Sequence, residues 1–179
     1  MFSRNGQSVK PKHNNIDGRI SASYITALNP GEIFVFGSNL SGIHGAGAAY
    51  TAYHRFGAEL GVGEGLRGQS YAFPTVYYDI ERSLTLDEIA VHAKRFLECV
   101  AERTDLQFLL TQVGCNLAGY TPQQMAPLFA EGFGLTNLFF PLSFYQVLVS
   151  NEDIPTLQPD EDTLPFSFED TDIQHQGHS

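Results

Sequence analysis

Apolar runs and glycine-marked breaks alternate along the middle of the chain. Ile33-Phe34-Val35-Phe36 is a hydrophobic run that gives way to Gly37-Ser38-Asn39, which reads as a buried strand feeding a loop. Gly42, Gly45 and Gly47 punctuate that loop, and the alanine-rich stretch from Ala46 to Phe56 follows as a helix. A turn broken by Gly57, Gly61, Gly63, Gly65 and Gly68 leads to Ser70-Tyr71-Ala72-Phe73-Pro74-Thr75, a short strand. The next helix has the clearest signal. Thr85 stands three residues before Glu88 as a capping box, and Ile89, Ala93, Phe96, Leu97 and Val100 follow at helical spacing. Phe108-Leu109-Leu110-Thr111-Gln112-Val113 is a second buried strand, running into Gly114-Cys115-Asn116-Leu117-Ala118-Gly119-Tyr120. Thr121, Pro122 and Gln124 supply the N-cap, the N1 proline and the reciprocal N3 side chain of another helix. Leu138-Phe139-Phe140-Pro141-Leu142 closes the alternation as one more strand, which can extend to Val149.

Strands that are continuously rather than alternately hydrophobic have both sheet faces covered, as in layered α/β folds with mainly parallel strands. Ligands in such folds sit beyond the carboxyl ends of the strands, where neighbouring loops converge. Two glycine loops, 37–47 and 114–119, each follow a strand and precede a helix, so they are predicted to face one another across a single cleft. Glycine lets a guest approach main-chain N–H groups, and the start of a helix leaves N–H groups unpaired at the positive end of its dipole. Together these features suit a phosphate without needing basic side chains.

Composition narrows the reading. The chain has 179 residues, 42% of them hydrophobic, with a net charge of −10. That length supports one domain with a proper core. The acidic balance argues against a nucleic-acid partner, whose backbone calls for clustered Lys and Arg. No apolar run approaches a membrane span and the N-terminus has no apolar signal core, so no membrane partner is expected and a cytoplasmic location is the default expectation. Cys99 and Cys115 are the two cysteines, too few for a disulfide framework, and both read as thiols. Residues 1–15 read as a mobile polar segment, 16–150 as the folded domain, and 151–179 as an acidic tail with Leu164, Phe166 and Phe168 as its apolar patch.

The glycine loops match neither a Walker A motif nor a dinucleotide fingerprint, because the lysine of the first and the third glycine of the second are missing. Phe36-Gly37-Ser38-Asn39 with His44-Gly45-Ala46-Gly47-Ala48-Ala49, followed by Val113-Gly114-Cys115-Asn116-Leu117-Ala118-Gly119-Tyr120, resembles the macrodomain superfamily over roughly residues 30–144. The first loop is also similar to a phage-associated macro-like group described as N-glycosidases. The resemblance implies a three-layer α/β/α sandwich with a mixed, mainly parallel sheet, no cofactor, and a guest that is ADP-ribose, an NAD-derived nucleotide or an ADP-ribosylated protein. It further implies that Asn39 lies near the distal ribose, that 42–47 cradles its phosphate, and that Gly114–Gly119 clamps the diphosphate. Hydrolysis of an ADP-ribosyl or N-glycosidic bond is the expected activity, with a non-catalytic reader or a protein-interaction module as alternatives. The acid that hydrolytic members often place at the end of the first loop is replaced by Ala48-Ala49, and no acidic residue before Ile33 is assigned to adenine.

On this reading the ligand-binding residues are Gly37, Ser38, Asn39, Gly42, Gly45, Ala46, Gly47, Gly114, Cys115, Asn116, Leu117, Ala118, Gly119 and Tyr120, and the catalytic candidates are His44 and Asn39. Each has a plainer alternative. Asn39 orients a ribose or caps its own turn. His44, flanked by Gly42 and Gly45, is expected to be exposed, as a proton-transfer group or a solvated loop residue. Cys115 is a nucleophile or a small filler, and Tyr120 is a cleft wall or a core aromatic. Arg67 and Gln69 can reach the cleft or stay structural, while Glu64, Asp79 and Glu81 are unranked carboxylates near loop ends. His175 and His178 form an H-x-x-H too isolated to assign a metal.

Overall fold

The computed structural model describes residues 15–16, 19–79 and 81–151. Most of the expected N-terminal segment and of the acidic tail, including the apolar patch and His175 and His178, lies outside the described residues. In chain order the elements are β1 (Asn15–Ile16), β2 (Ile20–Ser21), β3 (Glu32–Asn39), α1 (Gly47–Arg55), β4 (Gly65–Arg67) and β5 (Ser70–Val76). They continue with α2 (Leu86–Glu102), β6 (Gln107–Leu110), α3 (Pro122–Met125), a 3-10 helix (Ala126–Gly134), β7 (Leu138–Pro141) and α4 (Leu142–Asn151). Among the described residues the strands form one sheet in the order β1-β2-β7-β6-β3-β5-β4. The five inner strands run parallel, while β1 and β4 are antiparallel at the two edges.

β3, β5, β6 and β7 each divide their side chains between two cores, as the two-residue period requires. Ile33, Val35, Tyr71, Phe73, Phe108, Leu110, Leu138 and Phe140 face α2, α3, the 3-10 helix and α4, and pack with Phe96, Phe129 and Phe144. The alternate residues Phe34, Phe36, Ala72, Leu109 and Phe139 face the other way, toward Ala52 of α1 and Phe56 just beyond it. The result is the α/β three-layer sandwich with a mixed, mainly parallel sheet. Among the described residues one helix covers one face and several cover the other.

Both expected capping boxes are present. Thr85 Oγ1 accepts from Glu88 N while the Glu88 carboxylate accepts from Thr85 N at 2.8 Å, and Thr121 and Gln124 reciprocate in the same way. Two strand ends differ from expectation. β6 stops at Leu110 rather than Val113, because Val113 N turns back to Thr111 O at 2.8 Å and takes the chain out of the sheet. Residues 142–149 form a helix, not a continuation of the last strand. Phe144 and Leu148, four residues apart, are both buried in the same core, a spacing that suits one face of a helix, and a short apolar run does not distinguish the two by pattern alone.

Acid sensitivity follows from the ends of α2. The Glu88 carboxyl is held below the usual glutamate range, chiefly by the Tyr77 hydroxyl, and the Asp105 carboxyl below the aspartate range, chiefly by the Arg103 guanidinium. A carboxyl whose folded pKa lies below its unfolded value adds stability above the unfolded pKa and loses it as the pH falls through the folded one. The urea midpoint is therefore expected to drop between about pH 5 and about pH 3. Glu88→Gln should make that drop shallower.

Candidate functional site

β3 and β6 pair only as far as Val35 and Leu110, whereas β3 continues beside β5 to Asn39 and Val76. From Phe36 onward the two central strands therefore part. The chain after β3 enters α1 on one face of the sheet, and the chain after β6 enters α3 on the other. This is a topological switch point, the place where an open α/β sheet forms a crevice. A cavity of about 930 Å³ lies there, bordered by the carboxyl ends of β2, β7, β6, β3 and β5. Its size is that of a small-molecule site.

The two glycine loops share this cavity. Gly37, Ser38, Asn39, Gly45, Ala46 and Gly47 line it from the first loop, and Gly114, Asn116, Leu117 and Ala118 from the second. Gly42, His44, Cys115, Gly119 and Tyr120 do not line it. The main-chain N–H groups of Gly45, Ala46, Gly47, Ala48 and Ala49 have no partner among the described residues, nor do those of Gly114, Asn116, Leu117 and Ala118. The N-cap of α1 is Ala46, which supplies no side-chain cap, and the first turn carries no acid. Unpaired donors at a helix start, with no carboxylate to satisfy them or to repel an anion, present a positive, uncommitted surface.

Both catalytic candidates are bonded within the protein, although Asn39 lines the cavity and His44 Nδ1 is buried with no partner among the described residues. Asn39 Oδ1 accepts from Ile43 N at 2.9 Å and from Ser41 Oγ at 2.8 Å, and its Nδ2 donates to Ile43 O at 2.7 Å. The side chain thus staples its own turn. His44 corrects the expectation of an exposed ring: it is 2% exposed, edge-on to Phe36, and its Nε2 donates to Glu59 O at 3.0 Å. The reason is Gly42, whose missing side chain lets the loop press against Gly61 and Val62 and carries His44 inward. Cys115 packs at the edge of the larger core, where burial pushes its thiol pKa up, unlike an activated nucleophile. Tyr120 also packs there and donates its hydroxyl to Leu84 O at 2.5 Å. Gly119 has φ +79° in the turn before it.

The remaining candidates are structural or on the surface. Arg67 pairs with Glu59 at 3.4 Å, and Gln69 donates to Asn29 O and Glu32 O. Asp79 and Glu81 are exposed outside the cavity, and Glu64 is bound to His92 and Arg95. Among the described residues that line the cavity, none is Asp, Glu, His, Cys, Lys or Arg. Among the described residues no three potential metal ligands gather.

The glycine pattern gave no sign of the walls contributed by residues 21–25, 75–76 and 141–142. Tyr24 and Leu142 stand exposed on these walls, Tyr24 at 85%, as do Ile43 and Leu117 on the two loops. Knowledge of the strand order would have found these walls, since they lie at or just beyond the carboxyl ends of neighbouring parallel strands. No helix of the described residues is long and apolar enough to cross a membrane. Compared with family models, curated proteins and solved structures, the chain finds no match.

Proposed function

We propose that the cleft binds an ADP-ribose-type nucleotide, free or attached to a protein, and acts as a reader. The observation that carries this is the run of unpaired main-chain N–H groups on two loops that border one cavity. A diphosphate accepts from main-chain donors of this kind and needs no cation beside it. The macrodomain resemblance of the same two loops supports the same guest.

The reader form is favoured over the hydrolase by the side chains. General acid–base catalysis needs a titratable group within hydrogen-bond reach of the reacting atoms, and the described residues around the cleft supply only hydroxyls, amides and apolar groups. A hydrolase built on this cleft would have to take its base from the guest's own phosphate.

Titration calorimetry with ADP-ribose tests the binding. Heat with a dissociation constant below about 100 μM is expected, and, because no ionisable group other than the Tyr24 phenol lines the cleft among the described residues, the affinity should change little between about pH 6 and about pH 8.5. Silence at hundreds of micromolar removes the proposal. Incubation with ADP-ribosylated protein separates the two forms, a reader leaving the modification intact and a hydrolase releasing it.

A further inference from the structure

We propose that Glu64 is a positioning residue for the first glycine loop, acting through the turn 59–64 that it ties down. The inference rests on the binding function proposed above.

The turn touches the loop from behind along its length. His44 Nε2 donates to Glu59 O, Gly61 N donates to Gly42 O at 3.0 Å, and Ser38 Oγ donates to Gly63 O. A Cβ on Gly42 would lie 2.3 Å from Val62 N, and one on Gly63 would lie 2.3 Å from Asn39 O. Every one of these contacts uses the main chain of the turn. The turn's shape therefore sets the shape of 38–44, and with it the approach of Gly45 to Ala49 to the cleft.

A turn containing Gly61 and Gly63 has little stiffness of its own. Beyond the pairing of Gly65 with Ala72 at its exit into β4, its side-chain anchor is the Glu64 carboxylate, which accepts from His92 Nδ1 at 2.7 Å and from Arg95 Nη1 at 3.2 Å, both on α2. A carboxylate can only accept, so His92 Nδ1 carries the hydrogen. The Glu64 and His92 side chains are 28% and 12% exposed, which shelters this charge-assisted bond. The other ion pair of the turn, Glu59 with Arg67, has side chains 62% and 48% exposed and holds much less. α2 is a firm post, with Ile89, Ala93, Phe96, Leu97 and Val100 in the core. Glu64 itself does not line the cleft; it acts at one remove.

Hydrogen exchange on the ligand-free full chain, followed by ADP-ribose titration, tests the role in Glu64→Ala and Glu64→Gln. In Glu64→Ala the Gly42 and Gly61 amides are expected to exchange about tenfold faster while Phe96 in α2 is unchanged, and ADP-ribose affinity should fall about tenfold. Glu64→Gln retains an oxygen that accepts from His92 and should restore most of both. Unchanged exchange at Gly42 and Gly61, or an equal acceleration throughout the chain, overturns the proposal, as does faster local exchange with unaltered affinity. If the native protein takes no ADP-ribose, the binding function falls, and exchange with its rescue by glutamine still decides whether Glu64 holds the loop.

Discussion

Gly42→Ala is expected to destabilise the fold by about 3 kcal/mol, read as a fall in the urea midpoint with an unchanged slope. Two costs add at this position. The backbone sits at φ +70°, where a Cβ crowds its own carbonyl, and the new carbon would meet Val62 N at 2.3 Å, Gly61 C at 2.5 Å and Val62 C at 2.7 Å. All three obstacles are backbone, so none can rotate aside. Gly61 separates the costs, because its φ is +84° but its Cβ would meet nothing within 4 Å. Gly61→Ala should therefore cost only the conformational part, about 1 kcal/mol. Equal effects at the two sites would mean that the loop yields to the added carbon, and that the contact with 61–62 does not shape it.

The parts of the fold written in short-range chemistry were readable in the sequence. Thr85 with Glu88 and Thr121 with Gln124 determine their helix starts through neighbours three residues away, and the structure has both. The hydrophobic strands were readable for a related reason, since a run such as Ile33 to Phe36 has to be covered on both sides and is. Ends set by distant partners were not readable. β6 ends where β3 ceases to pair with it, and α4 is a helix because Phe144 and Leu148 find the same core.

The loop residues show the same division more sharply. Glycine is consistent with two opposite situations, a backbone open to a guest and a backbone pressed against another chain segment. The glycine-rich stretch contains both. Gly42 and Gly63 are pressed, against 61–62 and 39–40, and Gly57 and Gly68 are pressed against each other, whereas a Cβ on Gly45 or Gly47 would meet nothing within 4 Å. His44 was expected outside because its neighbours were glycines, yet one of those glycines is what brings it in. Asn39 caps its own turn for a local reason, since Ser41 and Ile43, which make its three side-chain bonds, lie within four residues of it.

Gly45 is consequently the residue at which stability and binding should separate. It lines the cleft, its φ lies outside the left-handed region, and a Cβ added there meets nothing within 4 Å in the free protein. Gly45→Val should accordingly leave the thermal midpoint within about 2 °C of the native value, as substitutions away from packed features do. In the complex the same two methyl groups would stand between the guest and the N–H groups of Gly45 to Ala49. Loss of two charge-assisted contacts, at about 1.5 kcal/mol each, corresponds to an affinity for ADP-ribose lowered about a hundredfold. Calorimetry on a variant shown to be folded reads this directly. Undiminished affinity would take the first loop out of the phosphate site and leave the second loop, Gly114 to Ala118, to hold the guest alone. A loss of affinity accompanied by a matching loss of stability would show that Gly45, like Gly42, is a packing glycine. Only the combination of an intact fold and an empty cleft agrees with a main-chain cradle, because it requires the missing Cβ to matter to the guest and not to the protein.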